Sequence, residues 1–320
     1  QFSPTEILDH VVLAEQHGFS GVMAADHFQP WVPAQGQAGF VWNVMTAIAE
    51  RTRGDVGPGV TAPTFRWHPA MVAQASATLA AMYPGRHWLG VGSGEALNEH
   101  ILGQYWPEVP VRINRLFEAI EVITKLFAGS RAGKDVKHSG EYYTLESTRL
   151  WTMPDTAPEI YVATAGPVTA KRTGRHADGL ITVGAPVEKI AGLFTAFEAG
   201  AREAGKDPST MPRLLQVHLS WAETDEQALA NALEQWPNGG MKVPKGDVRS
   251  PVDFEQMARL VRPEDFEGRM VISADPDVHR ASLQRYVDLG FDRIYLHNVG
   301  RDQAEFFEGF GSDGLPALRG

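Results

Sequence analysis

The chain has no cysteine. A disulfide framework, a thiolate nucleophile and cysteine-held metals are therefore excluded. It has no apolar run long enough to cross a bilayer, and no H-E-x-x-H, paired H-x-H or EF-hand spacing, so no metal centre is expected. Cationic residues are in deficit: 29 Lys and Arg stand against 39 Asp and Glu, a formal net charge of -10. Such a surface repels nucleic acid and anionic membranes, and neither is expected as a partner. It leaves room for a phosphorylated substrate, since a few local cations outweigh a distant field. No secretory leader is recognisable, and a cytoplasmic protein is expected.

What is present is an alternation of helix and strand signals along all 320 residues. Glu6 to His17 has helical spacing, with Ser3 as cap and Pro4 in the first turn. Short apolar runs ending near His27, Ala62, Gly92, Gly166, Gly184, Trp221 and Asn298 read as buried parallel strands. Helices are expected at Pro69–Met82, Asn114–Phe127, Thr169–Thr173, Val187–Ala204, Asp225–Gln235 and near Gln303–Phe310. Met270–Ser273 is either an extra strand or a loop segment. The count favours a (β/α)8 TIM barrel over a doubly wound sheet, with the first strand expected upstream of Gln1. A single domain over 1–320 is expected, with insertions at about 129–158 and 237–268. The first carries a strand-like piece, Tyr142–Leu145. Long insertions after barrel strands commonly cover an active site.

Catalytic groups of such barrels sit at the C-terminal ends of strands. The first end reads Asp26-His27-Phe28-Gln29-Pro30-Trp31, an acid, an imidazole and an indole together. His27 suits proton transfer near neutral pH; the competing reading is a structural Asp–His pair. Gly90 to Glu99 reads G-V-G-S-G-E-A-L-N-E, whose glycines let the backbone approach a flat or crowded group. It is not a dinucleotide fingerprint, because Glu95 stands where the third glycine would fall. Glu95 is either a general acid or substrate partner, or a helix N-terminal glutamate favoured by the macrodipole. Arg66, Trp67 and His68 read as packing residues, and Gly59 as a site of unusual backbone. Ala163 to Pro167 ends a strand and opens a helix, which suits an anion or simply close packing. Lys242, Lys245, Arg249 and Arg269 form a basic scatter, either a phosphate pocket or a solvated face.

DHFQPW at 26–31, APTFRWHP at 62–69, GVGSGEALNE at 90–99 and ISADPD at 272–277 together resemble the F420-dependent glucose-6-phosphate dehydrogenases of the luciferase-like superfamily. The resemblance covers nearly the full chain. It implies that coenzyme F420, a deazaflavin, lies in the barrel mouth against Asp26, a cis Gly59–Val60 peptide, Asn98 and Ala163, Thr164, Ala165, Gly166 and Pro167. It implies His27 as the base on the sugar hydroxyl, Trp31 as the aromatic steadying the reacting complex, and Glu95 as the group protonating the reduced ring. A homodimer acting on glucose 6-phosphate is implied as well.

The same resemblance implies a phosphate site of two lysines and an arginine. Lys245 and Arg269 match two of these positions and Thr182 a neighbouring one, but Ala185 stands at the third. Losing one charged partner weakens binding by about 1.5–3 kcal/mol. The preference is therefore expected either to stay with a sugar 6-phosphate or to widen towards another alcohol or hydroxy-lipid. An FMN-dependent luciferase-like monooxygenase is the further alternative, against which DHFQPW speaks.

Overall fold

A computed structural model describes residues 1–318. Its strands are β1 (Gly21–Ala24), β2 (Asp55–Pro58), β3 (Leu89–Val91), β4 (Val136–Ser139), β5 (Thr144–Thr148), β6 (Ile160–Ala163), β7 (Gly179–Val183), β8 (Arg213–Ser220), β9 (Val271–Ile272) and β10 (Arg293–Asn298). β1 pairs with β2 in parallel, and single parallel bridges, Val56 to His87 and Thr61 to Val91, join β2 to the β3 segment. From β3 the parallel ladder runs through β6, β7 and β8 to β10.

The sheet is curled. Met23, Trp88, Tyr161, Ile181, Leu214 and Tyr295, from six different strand segments, meet in one interior cluster. Only a rolled sheet brings inward-facing residues of β1 and β10 onto the same indole. Trp88 fits because Gly57 has no side chain: a Cβ there would lie 2.2 Å from the indole ring. The outward residues alternate with these. Val56, Leu89, Val91, Ile160 and Val162 pack under the helices Val41–Arg51, Pro69–Met82 and Val109–Arg131. Leu215, Val217 and Leu219 pack under the helices Pro276–Asp288 and Gln303–Gly309.

The seven expected barrel strands are all present, each within a few residues of its predicted end. The helix at Pro4–Gln16 starts with the expected cap, Ser3 accepting from the Glu6 amide while the Glu6 carboxylate accepts from the Ser3 amide. The helices Val41–Arg51, Pro251–Ala258 and Pro276–Asp288 and the short turn of helix Ala96–Glu99 add to those read from periodicity. The open choice at Met270–Ser273 resolves as a strand: β9 pairs in parallel with Leu219 and Ser220, the last two residues of β8. The strand-like piece at Tyr142–Leu145 is one arm of an antiparallel hairpin, β4–β5. Glu118 of the long helix holds that hairpin by accepting the Tyr142 and Tyr143 amides at 3.1 and 2.8 Å. The Tyr143 hydroxyl reaches the carbonyls of Pro63 and Thr64, both at 3.0 Å, and so braces the loop after β2.

The 237–268 segment folds over the C-terminal ends of the strands. Its helix Pro251–Ala258 sends Phe254 into an edge-on contact with Trp31 at 5.1 Å. The Ala96 amide donates to the Gly246 carbonyl at 2.9 Å, and the Gln29 side chain donates to the Arg249 carbonyl at 3.4 Å. This insertion therefore touches the turns after both β1 and β3.

Candidate active site

The turn after β1 carries Asp26, His27 and Trp31, and side chains from the turn after β3 fix its shape. Asn98 Oδ1 accepts the Phe28 and Gln29 amides at 2.9 and 3.3 Å, and Gln29 Nε2 donates to the Leu97 carbonyl at 2.7 Å. His27 and Glu95 thus lie on two turns laced together at one end of the barrel. Gly94 makes the second turn possible with φ of +81°, a conformation that side chains rarely adopt.

The orientation of His27 follows from its partner. Nδ1 lies 3.1 Å from the Gln29 carbonyl, which can only accept, so Nδ1 carries the proton and Nε2 is the bare nitrogen. Burial holds the imidazole pKa below its ordinary value, with the Gln29 carbonyl and Asp26 pulling the other way. The ring packs against Trp31 at 5.1 Å, and Trp31 in turn meets Trp236 at 6.3 Å.

Burial pushes Glu95 up to about 7, Lys245 opposes that rise, and Glu99 adds to it. The two titrating groups of the mouth are therefore driven in opposite directions by one cause, a neutral base and a protonated acid being the forms that burial favours. Beneath them lies a buried ion cluster. Arg66 Nη2 donates to Asp26 Oδ1 at 2.9 Å, the Arg66 amide donates to Glu99 Oε2 at 2.7 Å, and the guanidinium Nε stands 3.6 Å from Glu99 Oε1. Asp26 Oδ2 and Arg66 Nε have no hydrogen-bond partner although both are fully buried.

The site also suits a large flat group. The Gly59–Val60 peptide is cis, as the resemblance implied. Asp26 Oδ2 and the buried Thr61 hydroxyl at the ends of adjacent strands await polar partners. A Cβ on Gly92 would stand 2.7 Å from Val60 Cγ2, so bare backbone lies against that turn. Gly166 caps the helix Pro167–His176 without a side-chain bond, and its first amides stay open to an anion. Thr164 is drawn into the same turn, its hydroxyl accepting the Gly166 amide at 3.1 Å. Asn98, by contrast, has its carbonyl engaged by the β1 turn, leaving only its amide nitrogen for a ligand.

The expected phosphate residues are assembled loosely. Lys245 donates to the Asn238 carbonyl at 2.7 Å and is half-buried, with its pKa lowered by burial. Arg269 is exposed and donates to the Met241 carbonyl at 3.1 Å. Lys242 is tied to Asp265 at 2.7 Å. Thr182 is buried near the end of β7, and the Ala185 carbonyl beyond it accepts from the Tyr286 hydroxyl at 3.4 Å.

Sequence reasoning missed the far wall of the mouth. His218 of β8 and His297 of β10 face each other with their Nδ1 atoms 2.9 Å apart, and His218 lies against Trp236 at 4.6 Å between ring centres. A signal was present: Gln216 and His218 alternate with buried Leu215, Val217 and Leu219, so both point inward. His27 and Trp31 line one cavity together with Gln35, Trp236 and His297. Among the described residues no cluster of three or more His, Asp or Glu is arranged to hold a metal ion, and no helix is long and apolar enough to cross a membrane.

A curled parallel sheet flanked by helices, with His27 and Glu95 on the turns at its C-terminal mouth, defines a β/α-barrel protein. The family model described as luciferase-like monooxygenase matches residues 1–293, and the chain belongs to that family. A relative in Microbacterium testaceum (strain StLB037), an F420-dependent glucose-6-phosphate dehydrogenase, is 38% identical over 322 residues, covering 100% of this chain and 95% of its own. Among solved structures, an F420-dependent secondary alcohol dehydrogenase in complex with an F420–acetone adduct is 32% identical with a TM-score of 0.93, covering 100% of this chain and 96% of its own. The coenzyme F420-dependent tetrahydromethanopterin reductase from Methanopyrus kandleri shares the fold at 21% identity and a TM-score of 0.79, covering 99% and 96%. The resemblance drawn from DHFQPW and GEALNE is thereby borne out.

Proposed function

We propose that this protein oxidises the anomeric CH–OH of a sugar 6-phosphate, glucose 6-phosphate to 6-phosphogluconolactone, with hydride passing to coenzyme F420. The observation that carries the reading is a pair of laced turns, one carrying a bare His27 Nε2 and the other a carboxyl raised to about 7. When bound, coenzyme F420 supplies a deazaflavin ring that accepts the hydride. Asp26 through its orphaned Oδ2, the Gly59–Val60 peptide, Asn98 through its amide nitrogen, and Ala163, Thr164, Ala165, Gly166 and Pro167 would hold it.

His27 Nε2 takes the hydroxyl proton as the C–H bond gives up its hydride, so a full alkoxide never has to form. Trp31, wedged between His27 and Phe254, keeps the imidazole in place and water out. Glu95 supplies a proton near neutral pH because burial keeps it protonated there. Lys245 and Arg269 supply the cations that suit a phosphate, and the Thr182 hydroxyl would add a neutral hydrogen bond. Homology supports the same chemistry, since the full-length relatives are F420-dependent glucose-6-phosphate dehydrogenases. We further propose a homodimer working in the cytoplasm on a small-molecule substrate, without nucleic acid or membrane partners.

A second reading keeps F420 and replaces the sugar phosphate by a plain alcohol. It is favoured by Ala185, which leaves Lys245 and Arg269 without a third cation, and by the likeness to the secondary alcohol dehydrogenase. Loss of the deazaflavin absorbance band on adding glucose 6-phosphate, other sugar phosphates or simple alcohols separates the two. Reduction by 2-propanol alone would overturn the sugar-phosphate reading.

A further inference from the structure

The far wall of the mouth contains a hydrogen-bonded chain whose direction can be read atom by atom. Gln1 Nε2 lies 2.8 Å from the Val299 carbonyl, which can only accept, so the nitrogen of that amide is assigned. The same nitrogen donates to Gln235 Oε1 at 3.2 Å. Gln1 Oε1 therefore points the other way, 3.0 Å from His297 Nε2, and that nitrogen must carry a proton. Burial holds His297 at about 4 and keeps His218 well below its ordinary value, so both rings are neutral at physiological pH. His297 Nδ1 is then bare and accepts from His218 Nδ1 at 2.9 Å. A neutral His218 protonated on Nδ1 has a bare Nε2.

That nitrogen has no hydrogen-bond partner among the described residues, and its ring is half-buried beside Trp236 near the C-terminal end of β8. The wall is also rigidly tied to the catalytic turn. Gln35 Oε1 accepts the Trp31 amide at 2.9 Å, and Gln35 Nε2 donates to the Gln235 carbonyl at 2.8 Å. A fixed acceptor on the far wall, next to an indole face, matches a hydroxyl-bearing carbon skeleton, with C–H groups against Trp236 and one O–H aimed at the ring nitrogen.

We propose that His218 is a specificity-determining residue whose Nε2 accepts a hydrogen bond from a second hydroxyl of the substrate, selecting polyhydroxy compounds over simple alcohols. This rests on the dehydrogenase reading above and deepens it. His27 acts on the hydroxyl that reacts, and His218 reads one that does not.

The test compares wild type with His218→Phe, which keeps a ring against Trp236 and removes the acceptor, on glucose 6-phosphate and its single-deoxy analogues. Wild type should lose about tenfold or more in kcat/KM on one analogue. His218→Phe should lose a similar factor on glucose 6-phosphate, mainly through KM, and show no further loss on that analogue. His218→Gln, which can still accept, should recover part of the loss. Additive losses in His218→Phe, or an unchanged KM, would overturn the proposal.

Imidazole nitrogen-15 shifts of the wild-type protein give a readout independent of turnover. They should show His218 protonated on Nδ1 with Nε2 bare, and the opposite tautomer or a cation at neutral pH would also overturn it. Failure of every sugar phosphate to reduce F420 removes the substrate of the preceding reading. A diol and its mono-ol then serve as the pair: loss of wild-type preference for the diol in His218→Phe upholds the role of His218, and an unchanged preference ends it.

Discussion

The barrel interior has polar groups at both ends, and they are treated in opposite ways. At the floor, Asp55 Oδ2 accepts from Trp88 Nε1 at 3.2 Å, from the Tyr295 hydroxyl at 2.9 Å and from Arg293 Nη1 at 2.8 Å. One carboxylate oxygen gathers three donors from two other strand segments and closes the floor. At the mouth, Asp26 Oδ2, Thr61 Oγ1 and Asn298 Nδ2 are buried without a hydrogen-bond partner. Buried polar atoms are normally paired, and leaving one unpaired costs about 1–3 kcal/mol. The contrast teaches where the fold stops serving itself: the satisfied end is structural, and the unsatisfied end is complementary to something that binds.

Substitutions at the two ends should therefore separate activity from stability. The largest effect is expected for His27→Ala, a loss of about 10²–10⁴-fold in kcat with the melting temperature nearly unchanged. Steady-state kinetics beside a thermal melt checks both halves. A large fall in melting temperature with normal turnover would place His27 with the floor instead.

Next comes Arg66→Met. It leaves Asp26 and Glu99 buried without their cation, and breaking such a cluster costs about 3–5 kcal/mol. Denaturant titration should show that loss, and F420 affinity, measured by fluorescence titration, should fall with it because Asp26 loses its orientation.

The pH profile gives a sharper comparison. In the proposed reaction, turnover requires His27 neutral and Glu95 protonated. The acid limb of kcat/KM should therefore fall below the ordinary imidazole range, since burial lowers His27, and the alkaline limb should begin near pH 7, where Glu95 ionises. Glu95→Gln should abolish the alkaline limb and reduce kcat far more than coenzyme affinity.

A smaller effect is expected for Lys245→Met. Lys245 lowers the Glu95 pKa, so its removal should move the alkaline limb to higher pH, while the KM for phosphorylated sugars alone rises. Equal changes for phosphorylated and plain sugars would remove Lys245 from the phosphate site. The smallest effect belongs to the floor: Tyr295→Phe should cost about 0.5–1.5 kcal/mol in unfolding free energy and leave kcat/KM untouched.

Much of this architecture was legible in order along the chain. β1 to β3 and the later strands are short apolar runs whose polar flanks mark the mouth, and His27, Trp31 and Glu95 were found by reading those flanks. The helix Val41–Arg51 was not read, because it follows a loop rich in glycine and proline and carries no side-chain cap. The hairpin was read as one strand because Val136–Ser139 has little apolar character, and Glu118, from a helix earlier in the chain, supplies its hold. Asn98 comes only from the family resemblance, and nothing local shows that its side-chain oxygen accepts the amide of Phe28, 70 positions upstream.

The sequence alone determined which residue types stand at each strand end, since strand periodicity and glycine placement act over a few neighbouring positions. It also carried the family likeness, which lies in short contiguous motifs. The tertiary structure decided which nitrogen of His27 is bare, why burial raises Glu95, and which buried atoms lack hydrogen-bond partners. Those properties depend on burial and on contacts between distant segments, such as Gln1 with His297 across 296 positions, and no local pattern encodes them.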